Sequence, residues 1–431
     1  MNIIDRSTKI FFQYYEKIDK MGKRGRIMLE SVKIIHSWNR IKEYRFLADY
    51  FRLLGVHVCD CTLKSERLSP DFDIVIILKN GLNDDSVEIL KEHYPNAIER
   101  EARDNDMEVD FNADYLKNIL KDISVRVKSL SNIEVKIMKQ IAEIYSKYEL
   151  SYHRNAYNYF YNNQMIVKHA QDAFIDAYID MNKILVVGNE KAHLFYVAAY
   201  LSRCIDETCK FLNQPFLLPI DNAMNFLDNA LKLEPTFNNA YLLKGMIAEL
   251  DRNLKEDAGA YYGIALEQMY GKRYASYPYY VVGRYYEKVK KKMERATELY
   301  AHSLNLNNFE YRAIYKLAML EKKKAKYTSS LERFKMICNI LAEKEMENYL
   351  QPREYEYLFK AYLEMGSIYG DYLFDIEHYK ESVKKRENLC DMVRDKRKEN
   401  RAYNEIFGKS AEMLREETYD RFFTIVVRCT Q

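Results

Sequence analysis

The spacing of a few small and aromatic residues constrains this chain more than any other feature. In AMNFLDNALKLEP, Ala223, Leu227 and Ala230 follow one another at steps of four and three, with Pro235 closing the segment. The same positions recur as Ala258, Tyr262 and Ala265 after 35 residues, and as Ala296, Tyr300 and Ser303 after a further 38. They return once more as Ser330, Phe334 and Ile337 after another 34. A second set lies between them: Tyr241, Gly245 and Ala248, then Tyr279, Gly283 and Tyr286, then Tyr315, Leu317 and Ala318. Steps of four and three put each trio on one helical face. Small residues let neighbouring helices approach while a ring fills the space between them. The pattern predicts helix pairs that stack, because one pair cannot bury its apolar face alone.

Composition agrees with this. The 431 residues include 13 glycines and 7 prolines, about 3% and 2% against usual levels near 7% and 5%. So few breakers argue against an all-β sandwich or propeller. With 48% hydrophobic and 30% charged residues the chain can bury a large core. Lys+Arg 67 against Asp+Glu 64 gives a charge of +3, which does not favour nucleic acid as the main partner. The basic runs Lys20–Arg26, Lys288–Lys292, Lys322–Lys326 and Arg394–Arg401 are interrupted or flanked by acids and read as solvated helix faces. Apolar stretches such as Ile74–Leu78 are far too short to span a bilayer. Asp5, Glu16 and Asp19 interrupt the apolar residues of the first segment, so no secretory signal is expected there. Seven cysteines without disulfide-like spacing predict free thiols and a cytoplasmic setting, with no membrane partner. The 38 tyrosines against one tryptophan are the remaining oddity, and the repeat positions account for several of them.

Residues 26–125 read differently, as alternating strands and helices after an N-terminal helix over 1–25. Val32–His36 is a β-rich run, and Phe46, Leu47, Tyr50, Phe51 and Leu54 form a helical stripe that Gly55 ends. Val56, Val58 and Cys59 suggest a second strand. Ile74–Leu78 suits a central parallel strand buried on both faces. A helix is expected over Ser86–His93, capped by Asp84 or Asp85, and a fourth strand over Ala97–Glu99. This order predicts a small α/β domain with right-handed crossovers. From 131 to 431 helical patterns continue, with the clearest interruption at Asn182–Glu190.

Several chemical motifs can be set aside. There is no GxGxxG or P-loop. The acidic series Asp104, Asp106, Glu108, Asp110 and Asp114 has Val109 where a calcium loop turns on glycine and Tyr115 where it needs glutamate. Cys59 and Cys61 share one face of a strand, which reads as core. No HExxH occurs. No metal is expected.

The repeated trios resemble the tetratricopeptide repeat (TPR) family, most clearly over Asp221–Leu341. They extend to Ala170, Phe174 and Ala177 with Ala142 and Tyr145, and to Ala361–Val383. The resemblance implies an α-solenoid whose first helices line a concave surface. The residues expected on it are Asn239, Leu242, Met246, Tyr280, Arg284, Arg312, Tyr315, Met319 and Lys322. Tyrosine and arginine are common anchors in protein recognition, and the three cations suit a ligand with acidic groups. The 38-residue spacing implies lengthened turns.

IIHSWNRIKEYRFLADYFRLLGVHVCD resembles the opening of a TIR domain, FDIVIILKN its central strand, and FNADYLKNILKDI its closing helix; a flavodoxin-like domain shares the pattern. TIR enzymes that cleave NAD use a glutamate on the helix after the central strand, which makes Glu88 and Glu92 in DDSVEILKEHYP the candidate catalytic residues. The aromatic and cysteine residues that usually precede it are absent. The expected fold is thus mostly α, a TPR-like solenoid preceded by a small α/β domain. The expected function is an interaction or sensor protein that binds a peptide or protein, with no cofactor. The alternative is a TIR-type effector of bacterial defence that consumes NAD when the solenoid is triggered. A nucleic-acid-binding regulator ranks third, and a homo-oligomer is compatible with all three.

Overall fold

The computed structural model describes residues 29–37, 40–62, 72–79, 81–101, 111–127, 130–150, 164–186, 191–215, 217–218, 220–250, 257–346 and 352–399. The expected helix over 1–25, the basic run Lys20–Arg26, the acidic stretch Asp104–Asp110, and the side chains of Cys61 and of Arg394–Arg401 lie outside them. The chain divides into two compact units. One comprises Met1–Glu149, Phe174–Arg203 and Leu218–Lys244, the other Leu150–Ala173, Cys204–Leu217 and Gly245–Gln431.

In the first unit the elements are β1 (Ser31–His36), α1 (Ile41–Leu53), β2 (His57–Thr62), β3 (Ile74–Leu78), α2 (Asp84–His93), β4 (Ile98–Arg100) and α3 (Ala113–Arg126). The strands run parallel in the order β2-β1-β3-β4, with Val32 opposite both Val58 and Ile74. The apolar run in β3 is buried throughout, as a strand covered on both faces must be. On one face Ile35, Val75 and Ile77 pack with Leu90, Tyr94 and Ala97. Lys33 is buried on this face, where its ammonium donates to the Tyr94 hydroxyl at 3.0 Å and lies 5.3 Å over the rings of Phe72 and Tyr94. The cap of α2 is Asn83, whose side chain accepts from Ser86 N; Asp84 and Asp85 fall inside the first turn, where they complement the helix dipole.

Gly55 follows α1 at φ +79°, and a Cβ there would come within 2.6 Å of the Phe237 ring. Only glycine meets both demands. The helices that follow are α4 (Asn132–Lys147), α5 (Gln164–Val186), α6 (Ala192–Phe211), α7 (Ile220–Leu233) and α8 (Asn238–Leu250). Ser131 and Glu134 form a capping box at the start of α4. Two tyrosines tie α1 to α4: Tyr50 donates to the Met138 carbonyl at 2.5 Å, and Tyr145 to the Phe46 carbonyl at 3.2 Å. The interruption expected from Asn182 does not begin there. The helix α5 runs on to Val186 because the Asn182 amide donates back to the Tyr178 carbonyl at 2.9 Å instead of capping a turn.

The second unit holds α9 (Ala258–Gln268), α10 (Ser276–Lys288), α11 (Met293–Leu306), α12 (Tyr311–Lys323), α13 (Tyr327–Met346), α14 (Pro352–Ser367) and α15 (Ile376–Glu399). From α9 on, each helix packs on the next. All twelve residues of the four recurring trios, from Ala223 to Ile337, are buried. The glycines of the companion set sit under the rings. A Cβ on Gly245 would meet Tyr262 at 2.5 Å, and one on Gly283 would meet Tyr300 at 2.7 Å. Both hydroxyls then end on a glutamate one turn along the facing helix: Tyr262 donates to Glu249 at 2.8 Å and Tyr300 to Glu287 at 2.6 Å. Where serine replaces alanine its hydroxyl is satisfied by backbone, Ser303 on the Ser276 carbonyl at 2.8 Å and Ser330 on the Ala318 carbonyl at 2.9 Å. The mostly helical, TPR-like architecture preceded by a small α/β sheet is thereby observed. The 38-residue spacing lies in the turns, as expected: 269–275 and 289–292 are longer than 307–310 and 324–326 in the next copy.

Candidate functional site

The first helices of two successive pairs, α10 and α12, bring together tyrosines and arginines. On α10, Tyr277, Tyr280 and Arg284 follow at steps of three and four and so share a face. From α12, Arg312 reaches across, with its guanidinium carbon 4.7 Å from the Tyr277 ring centre and 5.4 Å from that of Tyr280. Glu310, at the turn before α12, accepts two bonds from Arg312 at 2.5 and 2.7 Å. Burial works against the Arg312 charge, but Glu310 more than offsets it and holds the guanidinium well above its ordinary range. Arg312 is therefore internally satisfied, and it stiffens the two tyrosines.

Arg284 differs. Its ion pair to Glu249, the one it makes among the described residues, is long at 3.6 Å, and its side chain is 35% exposed. The Nε is buried and has no hydrogen-bond partner among the described residues. Tyr262 donates to the same Glu249. Burial disfavours the Arg284 charge, and Glu249 with the surrounding tyrosines restores it. Tyr277, absent from the sequence-based set, is 41% exposed beside this arginine's helix face. Its position one turn before Tyr280 and two before Arg284 is the signal that would have found it.

The other expected face residues are engaged elsewhere. Asn239 is buried and donates to the Gly55 carbonyl at 2.6 Å, and Leu242 is buried. Met246 is half-buried. Tyr315 packs edge-on to Phe334 and Tyr357, with Met319 against the same cluster. Lys322 is held by Glu364 at 2.6 Å and Ser367 at 2.9 Å. Of the nine, Tyr280, Arg284 and Arg312 come together.

At the sheet, Glu88 and Glu92 are exposed on α2, and their carboxylates have no hydrogen bond or ion pair among the described residues. The carboxylate buried near the carboxyl ends of β1 and β3 is Glu43 of α1, 2% exposed, ion-paired with Arg40 and accepting from the Tyr115 hydroxyl. Burial raises the Tyr115 phenol well above its ordinary value, and the Glu43 charge adds to this. His36, at the end of β1, stacks on Tyr44 with centroids 4.4 Å apart. Strand order reverses between β1 and β3, the place where open α/β sheets take ligands. Among the described residues no group of three or more His, Cys, Asp or Glu could hold a metal ion. No described helix is long and apolar enough to cross a membrane.

No protein-family model and no curated protein matches the chain. Among solved structures, an IFIT1 monomeric mutant with m7Gppp-AAAA is similar at 13% identity and TM-score 0.39, over 91% of this chain and 87% of that one. A human IFIT1 dimer with PPP-AAAA gives 14% identity and TM-score 0.31, over 73% and 78%. The APC/C hetero-tetramer Cut9-Hcn1 gives 12% identity and TM-score 0.31, over 73% and 67%.

Proposed function

We propose that this chain is an interaction protein whose helix pairs bind a peptide or protein segment at Tyr277, Tyr280 and Arg284. The observation that carries the reading is Arg284, a half-exposed side chain with a long ion pair and an Nε unpartnered among the described residues, beside two tyrosines. A ligand carboxylate meeting the exposed part of this side chain would complete the charge-assisted pair that Glu249 leaves long, and the rings would supply apolar area at low entropic cost. Glu310 leaves Arg312 nothing further to gain, so Arg284 is the cation that selects the ligand. The α/β domain is the transmitting element, joined to the helices within the first unit by Asn239 on the Gly55 carbonyl and by His57 on Asn238. Selection from a displayed peptide library on the immobilised full-length protein tests this. Enrichment of peptides with a carboxylate next to an aromatic residue, lost with Arg284→Ala, supports the reading. Enrichment unchanged by that substitution, or binding that requires RNA and falls steeply with salt, overturns it.

A second reading, NAD cleavage by the α/β domain, draws on the burial of Glu43 near the point where strand order reverses. Nicotinamide release by the full-length protein, compared with Glu43→Gln, Glu88→Ala and Glu92→Ala, tests it. Turnover lost in one of these variants supports it, and no turnover in the parent protein, with and without a selected peptide, removes it.

A further inference from the structure

The opposite face of α10 borders a cavity of about 360 Å³ between α9 and α11. We infer that this cavity binds an organic cation on an aliphatic stem, the guanidinium or ammonium of an arginine or lysine side chain from a partner protein. Its residues belong to other faces than the Tyr277–Arg284 patch, so the inference stands apart from the function proposed above.

Three tyrosines, Tyr270, Tyr279 and Tyr286, contribute to the walls, and Tyr279 lies against the His302 ring with centroids 5.5 Å apart. Aromatic faces attract cations through their quadrupole, more strongly where water is excluded. The volume is near the lower end of ligand pockets, about 300 to 1,000 Å³, and so suits one side chain better than a folded ligand. Gly263 adds to the space, since a Cβ there would meet nothing within 4 Å.

Charge decides the sign of the guest. Two charged side chains line the cavity, Glu267 from α9 and Arg295 from α11. Arg295 is ion-paired with Glu298 on its own helix at 2.7 Å, so its charge is already answered. The Glu267 carboxylate has no hydrogen bond or ion pair among the described residues. The residue is exposed, and the burial of part of its side chain raises the carboxyl above the ordinary value. A cation entering from the exposed Tyr270 side would meet aromatic faces first and this carboxylate next. An anion would meet the same carboxylate as a repulsion.

Saturation-transfer NMR on the full-length protein tests this, with N-acetyl-arginine amide, N-acetyl-lysine amide and N-acetyl-glutamate amide as probes. Both basic probes should bind saturably in the millimolar range while the glutamate probe stays silent. Glu267→Gln should weaken the arginine probe about tenfold, and Tyr270→Ala should weaken it severalfold. Both sites are exposed, so the folded state survives the substitutions, which thermal unfolding of the variants confirms. Equal binding of the glutamate probe, no saturable signal from either basic probe, or arginine affinity unaltered in Glu267→Gln would overturn the inference.

Discussion

Gly283 lies directly beneath the ring of Tyr300, so close that a Cβ would stand 2.7 Å from Cε1. Gly245 and Tyr262 repeat the relationship one helix pair earlier. In both, the ring is fully buried and the backbone of the facing helix forms the floor. Such an approach leaves no room for even one methyl group without moving a helix.

Gly245→Ala and Gly283→Ala should therefore each destabilise the protein by about 1 to 3 kcal/mol through overpacking. Gly263→Ala, in a helix but facing open space, should instead stabilise by up to about 1 kcal/mol through backbone entropy. Urea-unfolding midpoints of the three variants give the comparison. Equal effects in all three would contradict the assignment of the first two glycines to ring packing.

The tyrosine hydroxyls give a second test. Tyr262→Phe and Tyr300→Phe each remove a bond to a carboxylate, worth about 1.5 to 3 kcal/mol. Glu287 keeps Lys316 at 2.9 Å after the loss, whereas among the described residues Glu249 keeps only the 3.6 Å contact with Arg284. Tyr262→Phe should therefore give the larger destabilisation, read as the difference between the two midpoints. The next copy carries Phe334 in the equivalent place, so the fold itself tolerates the missing hydroxyl.

Acidification should loosen the first unit. Burial pushes the His57 and His193 imidazoles down to about 4 from 6.5, even though His57 keeps Asn238 and His193 keeps the Leu54 carbonyl. The second nitrogen of His193, Nε2, has no partner among the described residues, so protonation would put an unsatisfied N–H into the core. In the unfolded chain both rings take up a proton as pH falls through 6.5, while in the folded protein they stay neutral until about 4. The unfolded state thus binds more protons across this window, and stability falls as pH drops from 6.5 towards 4. The loss is on the order of 3 kcal/mol for each ring at the acid end. Unfolding midpoints between pH 7 and pH 5 should show the slope, and His193→Gln should flatten it.

What sequence reading could reach follows the range of the interactions. The repeat trios and their glycines were legible because they depend on neighbours one helix away, at fixed steps in the chain. The parallel strands were legible from runs such as Ile74–Leu78. Glu43 was not, because its burial depends on Tyr115, distant in sequence, and an isolated glutamate on an amphipathic helix reads as solvated. Asn239 failed for the same reason. Its position on the helix suggested an exposed face, but the carbonyl it bonds belongs to Gly55. Arg284 and Arg312 looked alike in sequence, and only Glu310 beside one and the long reach to Glu249 from the other separate them.

Arg312 offers the converse prediction. Because Glu310 and the rings of Tyr277 and Tyr280 hold it in place, Arg312→Lys should cost stability through the lost bidentate pair. Glu310→Gln should cost more, since it leaves the guanidinium partly buried and unmatched. Thermal unfolding of both variants decides; a neutral Glu310→Gln would contradict the internal role given to this pair.

The central claim is that Arg284 is the ligand-selecting cation of the helical face. The most direct measurement is the affinity of a library-selected peptide for the full-length protein and for its Arg284→Ala and Arg284→Lys variants. Alanine should cost about tenfold or more, lysine should recover part of it, and the difference should vanish once the peptide carboxylate is replaced by an amide. Equal affinity of the three proteins for the carboxylate peptide would contradict it.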